Sequence, residues 1–212
     1  MDFAEARASL IKHLSYRIRD ERVLSVMAHV PREQFLPPDI RAYAYDDRPL
    51  PIGLEQTISQ PYVIALMTSA LELTGKEKVL ELGTGSGYQA AILAELSENV
   101  ITVERLPELA EKANLLLQGL GYKNITVHTA GEILGWPQAA PYDAIIVTAA
   151  APTIPEELVA QLVEGGRMVI PVGSRYIQEL FKITRVCKQN TVVSLASCQF
   201  VPLIGKGAWE SD

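Results

Sequence analysis

The sequence predicts an α/β protein: a mostly parallel sheet with helices on both faces, turning antiparallel at its C-terminal end. Three observations carry this. Apolar runs of strand length alternate with segments of helical period from Val79 to Val172. The first run, Val79-Leu80-Glu81-Leu82, breaks into Gly83-Thr84-Gly85-Ser86-Gly87 and then a helical pattern from Gln89, which reads as strand, tight turn, helix. Beyond Gly173 the apolar runs follow one another without an intervening helix, and successive strands of that kind require hairpins.

Each element follows from local pattern. Leu10, Ile11, Leu14 and Ile18, then Val23, Leu24 and Met27, recur at helical intervals, giving two helices within residues 1–30 and a break near Asp20. Pro31 ends the second. From Pro31 to Gly53 the chain is rich in proline and aromatics and reads as an ordered, irregular loop, long enough to be functional. Pro61 opens a helix running to Leu73, and Thr57 and Ser59 stand just ahead of it, where a capping hydroxyl belongs. Val100 to Val103 is the next core strand, and Pro107 to Leu120 is a helix closed by Gly119 or Gly121. Asn124 to His128 is a third strand and Asp143 to Thr148 a fourth. Pro155 to Val163 is expected as a helix ended by Gly165-Gly166, with Arg167 to Val172 as the fifth strand. Glu179 to Val186, Thr191 to Ala196 and Cys198 to Leu203 read as further strands.

The glycine run and the strand after it carry the first chemical signal. Glycines let a ligand approach the main chain, and the following helix start offers unpaired N–H donors. The next strand ends in Glu104, and an acid about 20 residues beyond such a loop is placed to bind two ribose hydroxyls. A solvated strand end is the plainer role for Glu104. The residues read G-x-G-x-G, not the G-x-G-x-x-G that admits a dinucleotide pyrophosphate. Ala149-Ala150-Ala151-Pro152 sets small residues at the same sheet edge, where bulk would block a substrate. Trp136 either covers a ligand or packs, His128 reads as a strand residue, and His13 and His29 have no second ligand near them in sequence, so no metal site is expected.

Composition bounds the class. The 212 residues are 48% hydrophobic and 21% charged, which suits one globular domain. A net charge of −6 argues against a dedicated nucleic-acid binder. Cys187 and Cys198 form no C-x-x-C pair and no disulfide framework, which points to reduced thiols. No apolar run has the length of a membrane span and the N-terminus, with Asp2 and Glu5, is no signal peptide; a cytoplasmic monomer is expected.

Glu81-Leu82-Gly83-Thr84-Gly85-Ser86-Gly87 resembles the first motif of class I S-adenosylmethionine (AdoMet) methyltransferases, whose Rossmann-like sheet is the fold implied. Further stretches narrow this: Asp47-Arg48-Pro49-Leu50-Pro51-Ile52-Gly53, Gln56-Thr57-Ile58-Ser59-Gln60-Pro61-Tyr62, Gly135-Trp136-Pro137, Ala140-Pro141-Tyr142-Asp143-Ala144-Ile145, and Gly165-Gly166-Arg167-Met168-Val169-Ile170-Pro171-Val172-Gly173. Together they resemble the bacterial-type protein-L-isoaspartate (D-aspartate) O-methyltransferases from Val30 to Leu203. The resemblance implies one methyltransferase domain over residues 1–212, with helices and a substrate/cofactor loop in 1–60 and the AdoMet core in 61–212. It implies Ser59 as the active-site residue, with Thr57 and Ile58 also on the substrate. Ile58, Ser59, Gln60, Glu81, Gly83, Thr84, Gly85, Ser86 and Glu104 would contact the cofactor. One departure stands out. The family usually has G-D-G ahead of x-x-G-W-P, and this chain has Ala130-Gly131-Glu132. Gly131 takes the place of the aspartate near the adenine, so either backbone contacts suffice, or Glu132 substitutes, or AdoMet binds more weakly by about 1.5–3 kcal/mol.

The implied reaction methylates the α-carboxylate of an isoaspartyl residue in a damaged protein or peptide. That acceptor is already ionised at neutral pH, so no strong base is required. Two other readings stay open at this point: a class I methyltransferase with another small acceptor, and a non-catalytic AdoMet-sensing domain. A nicotinamide-dependent oxidoreductase fits the glycine spacing and the C-terminal strands poorly.

Overall fold

A computed structural model describes residues 2–187 and 189–210. Two helices, α1 (Phe3–Leu14) and α2 (Glu21–His29), open the chain. Each is capped by an aspartate whose carboxylate accepts two N–H groups of the first turn: Asp2 for α1 and Asp20 for α2. Short 3₁₀ turns at Arg32–Phe35 and Pro38–Tyr43 follow. A two-stranded hairpin, β1 (Leu50–Gly53) and β2 (Gln56–Ile58), then begins at the end of the stretch read as irregular and runs past it. Its two-residue turn, Leu54-Glu55, has both φ angles positive, at 50° and 59°. Such turns favour Asn-Gly, so this one carries no sequence signal.

Helix α3 (Pro61–Ala70) starts where proline predicts, but neither Ser59 nor Thr57 caps it. Asp47, fifteen residues before Tyr62, does so: its Oδ1 accepts the Tyr62 N–H at 2.8 Å. The Gln60 side chain bonds the Asp47 carbonyl at 3.1 Å.

The main sheet comprises β3 (Lys78–Leu82), β4 (Asn99–Glu104), β5 (Ile125–Thr129), β6 (Tyr142–Val147), β7 (Leu162–Gly173), β8 (Gln178–Thr184) and β9 (Thr191–Cys198). Their spatial order is β5-β4-β3-β6-β7-β8-β9. Pairing is parallel from β5 to β7 and antiparallel across β7, β8 and β9. Helices α4 (Tyr88–Ala94) and α5 (Pro107–Gly119) pack with α1 to α3 on one face, where Val79, Val100, Ala144 and Ile146 point. The other face, presenting Leu80, Val103, Ile145 and Val147, is covered by the short α6 (Glu156–Val159), by Leu134 and by Leu203.

Two expectations are corrected. The helix over residues 155–163 shrinks to the four residues of α6, and Gly165-Gly166 lie within β7. The glycines form a bulge there: Gly165 donates to the Arg185 carbonyl and Arg185 to that of Gly166, each at 2.9 Å. Of the strand expected over residues 198–203, only Cys198 lies in a ladder, as the last residue of β9; the rest bridges to the loop after β6, with Ala150 N–H on the Val201 carbonyl and Leu203 N–H on that of Ala150, both at 2.8 Å. Among the described residues no helix is long and apolar enough to cross a membrane.

Candidate active site

The strand order reverses beside β3: the chain leaves β3 for β4 on one side, while β6 flanks it on the other. Loops leaving the carboxyl ends of β3 and β6 diverge there and open a crevice. The structure has a cleft of about 500 Å³ at that place, reached by the ends of β3, β4, β5 and β6 and by the β1–β2 hairpin. This volume suits a ligand the size of a nucleoside conjugate.

Gly83 forms the floor. Its φ is +96°, and a Cβ there would stand 2.3 Å from Thr148 Oγ1, so no larger residue fits. Its N–H bonds the Val103 carbonyl at 2.8 Å, while the Thr148 hydroxyl donates to the carbonyls of Leu82 and Gly83 at 2.9 and 2.7 Å. These bonds fix the loop across three strands.

Glu104, 7% exposed, projects into this cleft from the end of β4. Each carboxylate oxygen accepts one backbone N–H: Oε2 from Gly85 at 2.8 Å and Oε1 from Leu106 at 3.0 Å. The carboxylate is thereby oriented, and its remaining lone pairs are free for ribose hydroxyls. A cradle only glycine can form and an oriented acid fit AdoMet.

Beside the cleft lies a recess of about 40 Å³ lined by Thr57, Ile58, Ser59, Ser86 and Gln89. The two spaces share Thr57, Gly83, Gly85 and Thr148 in their linings, so they adjoin across the same four residues. The Ser59 carbonyl accepts from Arg32 Nη2 at 2.8 Å, while its hydroxyl has no hydrogen-bond partner among the described residues. Thr84 also lines the recess, its hydroxyl paired with that of Thr102 at 2.6 Å. Gln60 lies outside both spaces, tied to Asp47. Gly131 and Glu132 stand exposed on the rim of the larger cleft, and a Cβ built on Gly131 meets nothing within 4 Å.

Glu81 is fully buried beneath the loop and lines neither space. Neither of its oxygens has a hydrogen-bond partner within normal geometry, and Thr102 is its neighbour across the ladder. Burial, partly offset by the Thr102 hydroxyl and reinforced by the Glu104 charge, pushes the Glu81 carboxyl up from the ordinary 4.5 to about 8. Between those values the unfolded chain releases this proton and the folded chain retains it, so folding stability falls as pH rises. Urea unfolding of ligand-free protein between pH 5 and pH 8 will show this fall, at most about 1.4 kcal/mol per pH unit. Glu81→Gln will flatten it; identical profiles for the two proteins would refute the assignment.

Several cleft residues gave no sequence signal. Thr148 reads only as a strand end, Arg175 sits in the β7–β8 turn 5.1 Å over the Trp209 ring, and the wall from Val201 to Gly205 comes from far along the chain. Trp136 packs: its ring stacks on His128 at 4.0 Å, and burial lowers the His128 pKa.

Residues 5–208 match the family model described as protein-L-isoaspartate(D-aspartate) O-methyltransferase (PCMT). The chain is 52% identical to protein-L-isoaspartate O-methyltransferase 1 of Syntrophobacter fumaroxidans, covering 99% of both chains. It is 50% identical to the protein-L-isoaspartate O-methyltransferase of a Roseiflexus species, covering 100% of this chain and 98% of the other. Among solved structures, a protein-L-isoaspartate O-methyltransferase superposes with a TM-score of 0.83 at 29% identity, covering 95% of this chain and 67% of that one. A Plasmodium falciparum structure described as a beta-aspartate methyltransferase in complex with S-adenosyl-L-homocysteine gives 0.77 at 26%, over 92% and 96%. With both the matched length and the full-length identity in place, the chain belongs to the protein-L-isoaspartate (D-aspartate) O-methyltransferase family.

Proposed function

We propose that this chain, as one methyltransferase domain, methylates the α-carboxylate of L-isoaspartyl residues, and the side-chain carboxylate of D-aspartyl residues, in damaged proteins, starting their repair, and that Ser59 binds the acceptor. The carrying observation is that Ser59, whose hydroxyl has no partner among the described residues, lines a recess that shares Thr57, Gly83, Gly85 and Thr148 with the cleft where Glu104 stands.

When bound, AdoMet supplies a methyl group on an electrophilic sulfonium. The chain supplies position. Glu104 would hold the ribose, Gly83 and Gly85 would admit the cofactor to the main chain, and Thr84, Ser86 and Ile58 would shape the adjoining wall, with Gln60 bracing the segment from outside through Asp47. Ser59 donates a hydrogen bond to one oxygen of the acceptor carboxylate, with Thr57 beside it, leaving the other oxygen to attack. Alignment of attacking oxygen, methyl carbon and sulfur is the main source of rate, because the acceptor needs no deprotonation. In the ester product the following backbone nitrogen then attacks the ester carbonyl and expels methanol, closing a succinimide without help, and hydrolysis returns part of it to aspartate. The protein acts as a monomer, and it acts in the cytoplasm, the compartment being supported by its two free thiols, Cys187 and Cys198.

The test is transfer of labelled methyl from AdoMet to an isoaspartyl peptide, with the aspartyl isomer as control. Base-labile label on the isoaspartyl peptide alone supports the reading, and AdoMet binding without transfer refutes it. Ser59→Ala will lower kcat by about 10- to 100-fold, the loss of one hydrogen bond to a charged group. Its unfolding midpoint will stay within about a degree, because the hydroxyl has no protein partner. Gly131→Asp restores the acid the family usually has. With open space around that position, the substitution will tighten AdoMet binding by about tenfold in calorimetry; unchanged affinity would mean that backbone contacts or Glu132 already serve the adenine.

A further inference from the structure

Among the described residues Arg32 is the largest fully buried side chain, at 0% exposure, and no carboxylate forms an ion pair with it. Its Nε donates to the Ala44 carbonyl and its Nη2 to the Ser59 carbonyl, each at 2.8 Å. The guanidinium carbon stands 5.0 Å from the centre of the Tyr88 ring, the first residue of α4. Its Nη1 is buried without a partner.

A buried cation whose hydrogen bonds all go to neutral groups is costly even with the Asp47 charge nearby, and an apolar residue of like volume usually serves stability as well or better. What an apolar residue cannot do is hold two carbonyls in one rigid fork. These two carbonyls bracket residues 45–58, which carry the β1–β2 hairpin and Thr57-Ile58. The third contact, Tyr88, directly follows the glycine loop. One planar group thus spans both legs of the acceptor segment and the base of the cofactor loop.

We propose that Arg32 is a positioning residue for methyl transfer: it sets the placement of Ser59 against the glycine loop without touching cofactor or substrate. This rests on the assignment of Ser59 to the acceptor. Arg32 lines neither the cleft nor the recess, so its effect passes through the Ser59 backbone. A misplacement of about 1 Å at a reacting group costs on the order of a hundredfold in rate.

The decisive variant is Arg32→Lys, which keeps the charge and most of the volume and loses the fork; Arg32→Met is its uncharged companion. Each is assayed well below its own unfolding midpoint. Arg32→Lys is expected to lower kcat on an isoaspartyl peptide by about 10- to 100-fold, while AdoMet affinity by calorimetry and the peptide KM stay within about threefold. Amide exchange across residues 44–60 will quicken and that of α5 will not. A kcat for Arg32→Lys within threefold of the parent overturns the proposal, as does a loss of AdoMet affinity in step with kcat, which would mark a purely structural role. The parent protein separates the two readings: if it fails to methylate the peptide, the acceptor assignment falls; if it turns over and Arg32→Lys matches it, only the positioning role falls.

Discussion

A Glu104→Ala protein will bind AdoMet at least about a hundredfold more weakly than the parent, a loss of about 3 kcal/mol for hydrogen bonds to a charged acceptor. The carboxylate would serve two partners together. It receives the Gly85 and Leu106 N–H groups at 2.8 and 3.0 Å, and in the proposed complex it also receives the ribose. Removing it leaves the glycine loop without its tether as well as the sugar without its acceptor. Glutamine will be no milder, because its amide nitrogen must face one of two backbone donors. Calorimetric titration with AdoMet checks this. An affinity within threefold of the parent would return Glu104 to the role of a loop brace alone.

Gly83→Ala will destabilise the protein by about 3 kcal/mol, combining a positive-φ penalty with overpacking of a close contact. It will also cut AdoMet affinity at least tenfold, since Gly83 and Thr148 both border the cleft. The two causes separate in a double-mutant cycle. The added methyl meets Thr148 Oγ1 at 2.3 Å, so Thr148→Ala relieves the steric part and leaves the φ = +96° part. The cycle will show a coupling of about 1–2 kcal/mol in urea unfolding. Strict additivity would mean the loop accommodates the methyl by moving elsewhere.

The fold was largely legible because its signals are local. Apolar runs mark β3, β4 and β6, Pro61 and Pro107 mark helix starts, and the glycine loop joins strand to helix. Glu104 and the glycines were placed for the same reason: a strand end and the loop beside it meet whenever adjacent parallel strands pair. What stayed hidden depends on distance along the chain. Asp47 caps α3 from far upstream, displacing the nearby hydroxyls that a local rule favours. The Val201 wall reaches the cleft through two hydrogen bonds to Ala150, which no periodicity announces. Gly165-Gly166 read as a helix stop because two glycines end helices more often than they bulge strands, and only the pairing of Arg185 with that bulge shows otherwise.

The turn at Leu54-Glu55 carries a consequence of another kind. Both residues sit at positive φ, a geometry that Asn-Gly would adopt with less strain by about 1–2 kcal/mol per residue. Yet Asn-Gly is the pair in which the following backbone nitrogen, unshielded by any Cβ, most readily attacks the side-chain carbonyl and rearranges to isoaspartate. This turn lies at the mouth of the cleft, with Glu55 on its wall. A leucine and a glutamate there hold the bend and leave no amide to deamidate. The protein keeps a strained turn at its own entrance in a form that cannot age into its substrate.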